Sequence, residues 1–221
     1  MSTRQQARPT LGIVGAGKVG GSLARLSQAQ GYRIVAVASR DRAHAATLAG
    51  SVGAGVASSP AEVVALADLT LLTIPDDAIL SVAESITLNG RTPKAVIHTS
   101  GAHSLDVLVP LAALGSMTGS LHPAYPFSGV AESLAGVAFA IEANDALLHT
   151  WLRDLVTALD GRALMIPPGG KVLYHAALSI ASNYTVTLYA LAERLLASLG
   201  AEQAAAAALQ PLLMGTVENI Q

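Results

Sequence analysis

Short apolar runs alternate along the chain with longer stretches of helical period. Pro9–Val14, Arg33–Ala38, Leu69–Ile74 and Ala95–His98 are near-continuous apolar runs, the pattern of strands covered on both faces. Ser116–Leu121, Val137–Ile141 and Ala163–Ile166 extend the series, and Ser51–Ala57 offers one weak strand more. Between them, Lys18–Gln30, Asp41–Ala49, Asp77–Ile86, Ser104–Leu114 and Asp145–Leu159 read as helices. Another helix opens at Ser59-Pro60-Ala61-Glu62, where Ser59 is placed as N-cap, Pro60 at the first helical position and Glu62 at the third. The alternation predicts an α/β fold with a doubly wound, mainly parallel sheet and ligand sites beyond the strand C-termini.

The pattern changes at Pro167-Pro168-Gly169-Gly170, which divides the chain into residues 1–166 and 167–221. Lys171–Leu199 carries one long helical pattern without Gly or Pro, ended by Gly200. Leu173, Ala177, Ile180, Tyr184, Leu188, Leu191 and Leu195 share one face, while Lys171, His175, Ser179 and Asn183 recur every four residues on another. Glu202–Ile220 reads as an alanine-rich helix interrupted near Pro211. The circumference between Lys171 and Glu193 is almost uncharged, and few helices follow to cover it. The second domain is therefore expected to be all-helical, truncated or completed by a partner chain, with a homodimer forming through the C-terminal helices.

Between the first strand and the first helix lies G-x-G-x-x-G at Gly15, Gly17 and Gly20. A tight turn needs Gly15, close approach of backbone to a pyrophosphate needs Gly17, and helix–sheet packing needs Gly20. With the strand before and the helix after, this context predicts a Rossmann-type dinucleotide site over Gly15, Ala16, Gly17, Lys18, Val19 and Gly20. An acidic residue closing the second strand would select NAD through the ribose hydroxyls. Here Ser39 and Arg40 close it and Arg42 follows, a hydroxyl and two guanidiniums that suit a 2′-phosphate and so NADP. Asp41 is open to two readings, a helix N-cap or a ribose ligand. Pro75-Asp76, Ser100-Gly101 and His122 fall at other strand ends on the same crevice.

Composition narrows the function classes. Net charge is −2 and no basic stripe interleaved with aromatics is present, so nucleic acid is not an expected partner. The absence of cysteine excludes disulfide and thiolate chemistry. The start, Met1–Arg8, is polar, and the longest uncharged run, Val172–Ala192, holds too many polar groups for a membrane span; a cytoplasmic location is expected. His44, His98, His103 and His149 lack partners at ligand spacing, so no metal is expected.

The motifs Ile74-Pro75-Asp76-Asp77-Ala78-Ile79, His98-Thr99-Ser100-Gly101, Leu121-His122-Pro123, Tyr174-His175-Ala176-Ala177 and Ala181-Ser182-Asn183-Tyr184 resemble the 6-phosphogluconate-dehydrogenase-like superfamily. They are most similar to a branch with a distinctive helical C-terminal domain, related to pyrroline-5-carboxylate reductase and ketopantoate reductase. The resemblance implies NADP(H) binding and reduction of a small carbonyl or imine substrate. In the dehydrogenases the long helix carries a Lys and, one turn on, an Asn that act on the substrate oxygen. His175 takes the Lys position here, Ser179 the next turn, and Asn183 the turn after. His175, Asn183 and Ser100 are thus the implied catalytic set, with Pro75 and Asp76 added to the cofactor site. A non-catalytic NADP(H)-binding regulatory or scaffold protein is the alternative.

Overall fold

The computed structural model describes residues 8–88, 90 and 92–220, so the polar residues 1–7 lie outside the described residues. Two compact units divide the chain, Met1–Val172 and Leu173–Gln221.

The first unit runs β1 (Leu11–Val14), α1 (Lys18–Ala29), β2 (Ile34–Ala38), α2 (Arg42–Val52), β3 (Gly55–Val56), α3 (Pro60–Leu66) and β4 (Leu69–Leu72). It continues with α4 (Ile79–Thr87), β5 (Ala95–His98), α5 (Val109–Ala112), β6 (Met117–Pro123), β7 (Ala138–Ala143), α6 (Ala146–Ala158) and β8 (Arg162–Met165). The strands form one sheet in the order β3-β2-β1-β4-β5-β6-β7-β8. All neighbours are parallel except β6 and β7, which are antiparallel. The apolar runs are buried on both faces, as expected for a sheet with helices above and below. On one face Leu11, Ile13, Leu71 and Ile97 pack against Leu23 of α1, Leu48 of α2 and Leu152 of α6. Val14, Leu72 and Val96 on the other face meet Val63 of α3 and Ile79 and Ala83 of α4.

Local departures from the sequence pattern have local causes. The stretch expected as one helix from Asp77 opens as a 3₁₀ turn, Asp76–Ala78, because Pro75 and two acidic residues precede the apolar period. Ser104–Leu114 likewise splits into a 3₁₀ turn, Leu105–Leu108, and the four-residue α5, with Pro110 near its start. The capping box is half as read: the Glu62 N–H donates to Ser59 Oγ at 3.2 Å, but the Glu62 carboxylate accepts from Ser58 N–H at 2.7 Å.

The chain leaves the sheet into α7 (Lys171–Ser179), whose run crosses into the second unit. A π-helical turn, Ile180–Tyr184, joins it to α8 (Thr185–Ser198), and α9 (Glu202–Glu218) follows. The helix expected to break near Pro211 does not break. Pro211 lies inside α9, and the surrounding alanine-rich sequence carries the helix through the one lost N–H bond. In this unit α8 and α9 pack together. Large apolar side chains such as Leu188, Leu195 and Leu212 remain more than 60% exposed. Among the described residues no helix is long and apolar enough to cross a membrane.

Candidate functional site

The turn from β1 into α1 is built as its glycines require. Gly15 sits at φ +108°, in the left-handed region, and a Cβ there would lie 2.4 Å from the Thr73 carbonyl oxygen. At Gly20 a Cβ would come within 2.1 Å of the Gly15 carbonyl oxygen, so α1 could not lie this close to the turn with any side chain there. The Thr73 hydroxyl ties the arrangement together by donating to that carbonyl at 2.7 Å. Gly17 is different: nothing lies within 4 Å of where its Cβ would be. It N-caps α1 without a side-chain cap, and no acidic residue lies in the first turn, so the first N–H groups of the helix open onto unfilled space.

A cleft of about 610 Å³ begins there and is lined by Gly15, Ala16, Gly17, Ser39, Arg40 and Pro75, all read from the sequence as cofactor residues. His44 in α2 and Ser58 and Ser59 after β3 also line it; none carries a cofactor signal in the sequence, Ser59 being legible only as the cap of α3. The donor set suits a phosphorylated dinucleotide: open backbone amides at Gly17, then a guanidinium and hydroxyls beyond β2. Asp41 also lines the cleft and takes the capping role. Its Oδ1 accepts from the Ala43 N–H at 2.9 Å and the His44 N–H at 3.1 Å, and the His44 backbone bond leads in holding its pKa low. The remaining sequence-read residues lie elsewhere. Val19 and Gly20 are behind the loop, Lys18 lines a smaller adjoining cleft of about 290 Å³ with Arg25 and His44, and Arg42 lies outside both clefts. The Arg42 charge is felt by Glu62.

Asp76 and Ser100 meet each other. The Ser100 hydroxyl donates to Asp76 Oδ2 at 2.7 Å and accepts from the Ala102 and His103 N–H groups at 3.1 and 3.0 Å. With three bonds and 4% exposure, this hydroxyl joins the loop after β4 to the loop after β5. Gly101 leaves room for His122, whose ring would stand 2.8 Å from a Cβ. Below them His98 is fully buried. Its Nδ1 accepts from the Ser100 N–H at 3.2 Å, which places the ring proton on Nε2, 3.1 Å from the Ser104 carbonyl oxygen. Burial first, then the Lys171 charge, lowers the His98 pKa to about 4.

Lys171 is the residue whose environment the sequence concealed. It falls in the polar stripe of the long helix, yet it is 1% exposed. Its ammonium donates to Ser120 Oγ at 2.9 Å and stands 3.6 Å from Glu142 Oε2. Burial pushes its pKa down, opposed by Glu142. Glu142 interrupts the otherwise apolar β7, and that interruption was the available signal. Among the described residues no group of three or more His, Asp or Glu is arranged to hold a metal.

In the second unit His175, Ser179 and Asn183 are placed by α7 and the π turn. Residues four apart on an α-helix drift by about 40° per step. A π turn advances less per residue, so Ile180–Tyr184 takes that drift back and returns Asn183 toward the His175 row. Both side chains are exposed.

These features define a dinucleotide-binding α/β protein. The chain belongs to the Rossmann-like domain family, whose model matches residues 1–123. Residues 137–221 match the family described as Domain of unknown function (DUF2520). Among solved structures it is similar to a candidate NADP oxidoreductase from Bacteroides fragilis, at 25% identity, with 97% of this chain and 82% of that chain covered and a TM-score of 0.79. An imine reductase from Pseudomonas sp. is similar at 16% identity, 96% and 75% coverage and a TM-score of 0.72. A pyrroline-5-carboxylate reductase from Coxiella burnetii is similar at 17% identity, 97% and 82% coverage and a TM-score of 0.67. The last two share the fold. No curated protein sequence matches the chain. The resemblance carried by the sequence motifs agrees with these relatives.

Proposed function

We propose that the protein is an NADP-dependent oxidoreductase acting on a small carbonyl or imine substrate. The observation that carries the reading is the end of β2: Ser39 and Arg40 line the cleft, and Asp41, which lines it too, is engaged through Oδ1 as the cap of α2. Similarity to the candidate NADP oxidoreductase supports it, and the imine and pyrroline-5-carboxylate reductases suggest a C=N or C=O substrate.

When bound, the dinucleotide supplies the hydride. The residues of this chain do the rest. Gly15–Gly17 and the first turn of α1 take the pyrophosphate, and Arg40 with Ser39 takes the 2′-phosphate. His175 donates the proton to the carbonyl oxygen or imine nitrogen as general acid. Asn183 orients the substrate by hydrogen bonding, and Ser100 braces the loops around Asp76. The test is NADPH oxidation followed at 340 nm over a panel of ketoacids and cyclic imines. Turnover of one class confirms the reading, and binding without turnover of any supports the non-catalytic alternative. We also propose that the exposed apolar faces of α7, α8 and α9 are covered by a second copy of the chain in a two-fold dimer.

A further inference from the structure

His98 on β5, Ser120 on β6 and Glu142 on β7 are successive cross-strand partners, so their side chains share one face of the sheet. The next residue in the row, on β4, is Leu72, and the face continues as apolar core. Lys171 enters this row from the start of α7 and bonds to Ser120 beside Glu142. Ser120 in turn donates to Glu142 Oε2 at 3.2 Å. A buried ion pair is a weak way to hold strands together, since apolar residues of similar volume do it as well. Its chemistry therefore calls for another explanation. From His98 the contacts run on: the ring accepts the Ser100 N–H, and the Ser100 hydroxyl donates to Asp76. Asp76 directly follows Pro75, which lines the nucleotide cleft.

We propose that Lys171 is a positioning residue for the nucleotide cleft, acting through His98 and Ser100 on the loop that carries Pro75 and Asp76. The proposal rests on the reading of that cleft as a dinucleotide site. Its physical basis is the protonation state of His98. The ring can accept from the Ser100 N–H only while Nδ1 is bare; a proton there would set two N–H groups against each other. The charged and polar groups facing the ring are Lys171, His103, Asp76 and the Ser104 carbonyl. Lys171 and His103 oppose protonation, whereas Asp76 and the carbonyl favour it. Lys171 is the strongest charge among them, second only to burial. Burial and, after it, the ammonium keep His98 an acceptor, and the acceptor keeps Ser100 aimed at Asp76.

Lys171→Met and Lys171→Arg test this in the full chain. Ring NMR of ¹⁵N-histidine protein, with His98 assigned by its absence in His98→Asn, reads the coupling without ligand. Fluorescence titration with NADPH at pH 5.5 and pH 8 reads the cleft. Lys171→Met should raise the His98 pKa above about 4, with burial still holding it below the ordinary 6.5. It should also weaken NADPH binding severalfold at pH 5.5 while changing it less than twofold at pH 8. Lys171→Arg should keep both properties of the unmutated protein. If Lys171→Met fails to fold, Lys171→Met/Glu142→Gln leaves no unpaired charge and carries the same test. An unmoved His98, or an NADPH affinity unchanged at both pH values or lowered equally at both, overturns the proposal. Failure of the unmutated protein to bind NADPH refutes the dinucleotide reading instead, and the His98 shift still decides the coupling.

Discussion

Two residues show how tightly the first unit is constrained around its cleft. Gly20 has the Gly15 carbonyl 2.1 Å from where a Cβ would stand, and that carbonyl is backbone held by Thr73. Gly20→Ala should therefore cost about 1–3 kcal/mol of stability, read from the denaturant midpoint, and should weaken nucleotide binding by displacing α1. His98 makes a prediction in pH. Its folded pKa of about 4 lies below the ordinary 6.5, so between those values the unfolded chain binds the extra proton. Stability should hold above pH 6.5 and fall as pH drops from 6.5 toward 4, by a full contribution of about 3 kcal/mol. Denaturant melts across that range check it, and His98→Asn should flatten this part of the slope. His98 ends an apolar run as if it were only a strand terminus, and its burial follows from β6, which packs beside it from more than twenty residues on. That is a tertiary fact without a local signature.

At the scale of elements, strands and helices with strong periods were legible, and so was the glycine turn, because each rests on local chemistry. The Ser39-Arg40 ending of β2 belongs to the same class. Losing a charge-assisted phosphate bond costs about 1.5–3 kcal/mol, so Arg40→Ala should weaken NADPH binding about tenfold or more and leave NADH nearly unchanged. What stayed hidden depends on register between elements. Lys171 belongs to a polar stripe by period, yet the side chain turns into the sheet, where Ser120 and Glu142 provide partners. The π turn at Ile180–Tyr184 is equally silent in the pattern, and it decides that Asn183 shares a side with His175. If those two act together, His175→Ala should lower single-turnover hydride transfer by about 10²–10⁴ with NADPH affinity kept. An unchanged rate removes His175 from the chemistry.

For the whole molecule, the alternation of strands and helices specified a doubly wound sheet, while the antiparallel direction of β7, which follows β6 after the loop 124–137 with no helix between them, was not legible. The second unit leaves Leu173, Leu188, Leu195 and Leu212 each more than 60% exposed, a surface that water opposes. Sedimentation at micromolar concentration should give twice the chain mass of 22.4 kDa, and a monomer that binds no apolar dye would contradict the dimer. The central claim is that the cleft beside Gly15–Gly17 and Arg40 is built for NADP(H). Parallel fluorescence titrations of the unmutated protein with NADPH and NADH, in one buffer at one ionic strength, test it most directly. The account predicts NADPH binding at least tenfold tighter than NADH; equal affinities, or no binding of either, would contradict it.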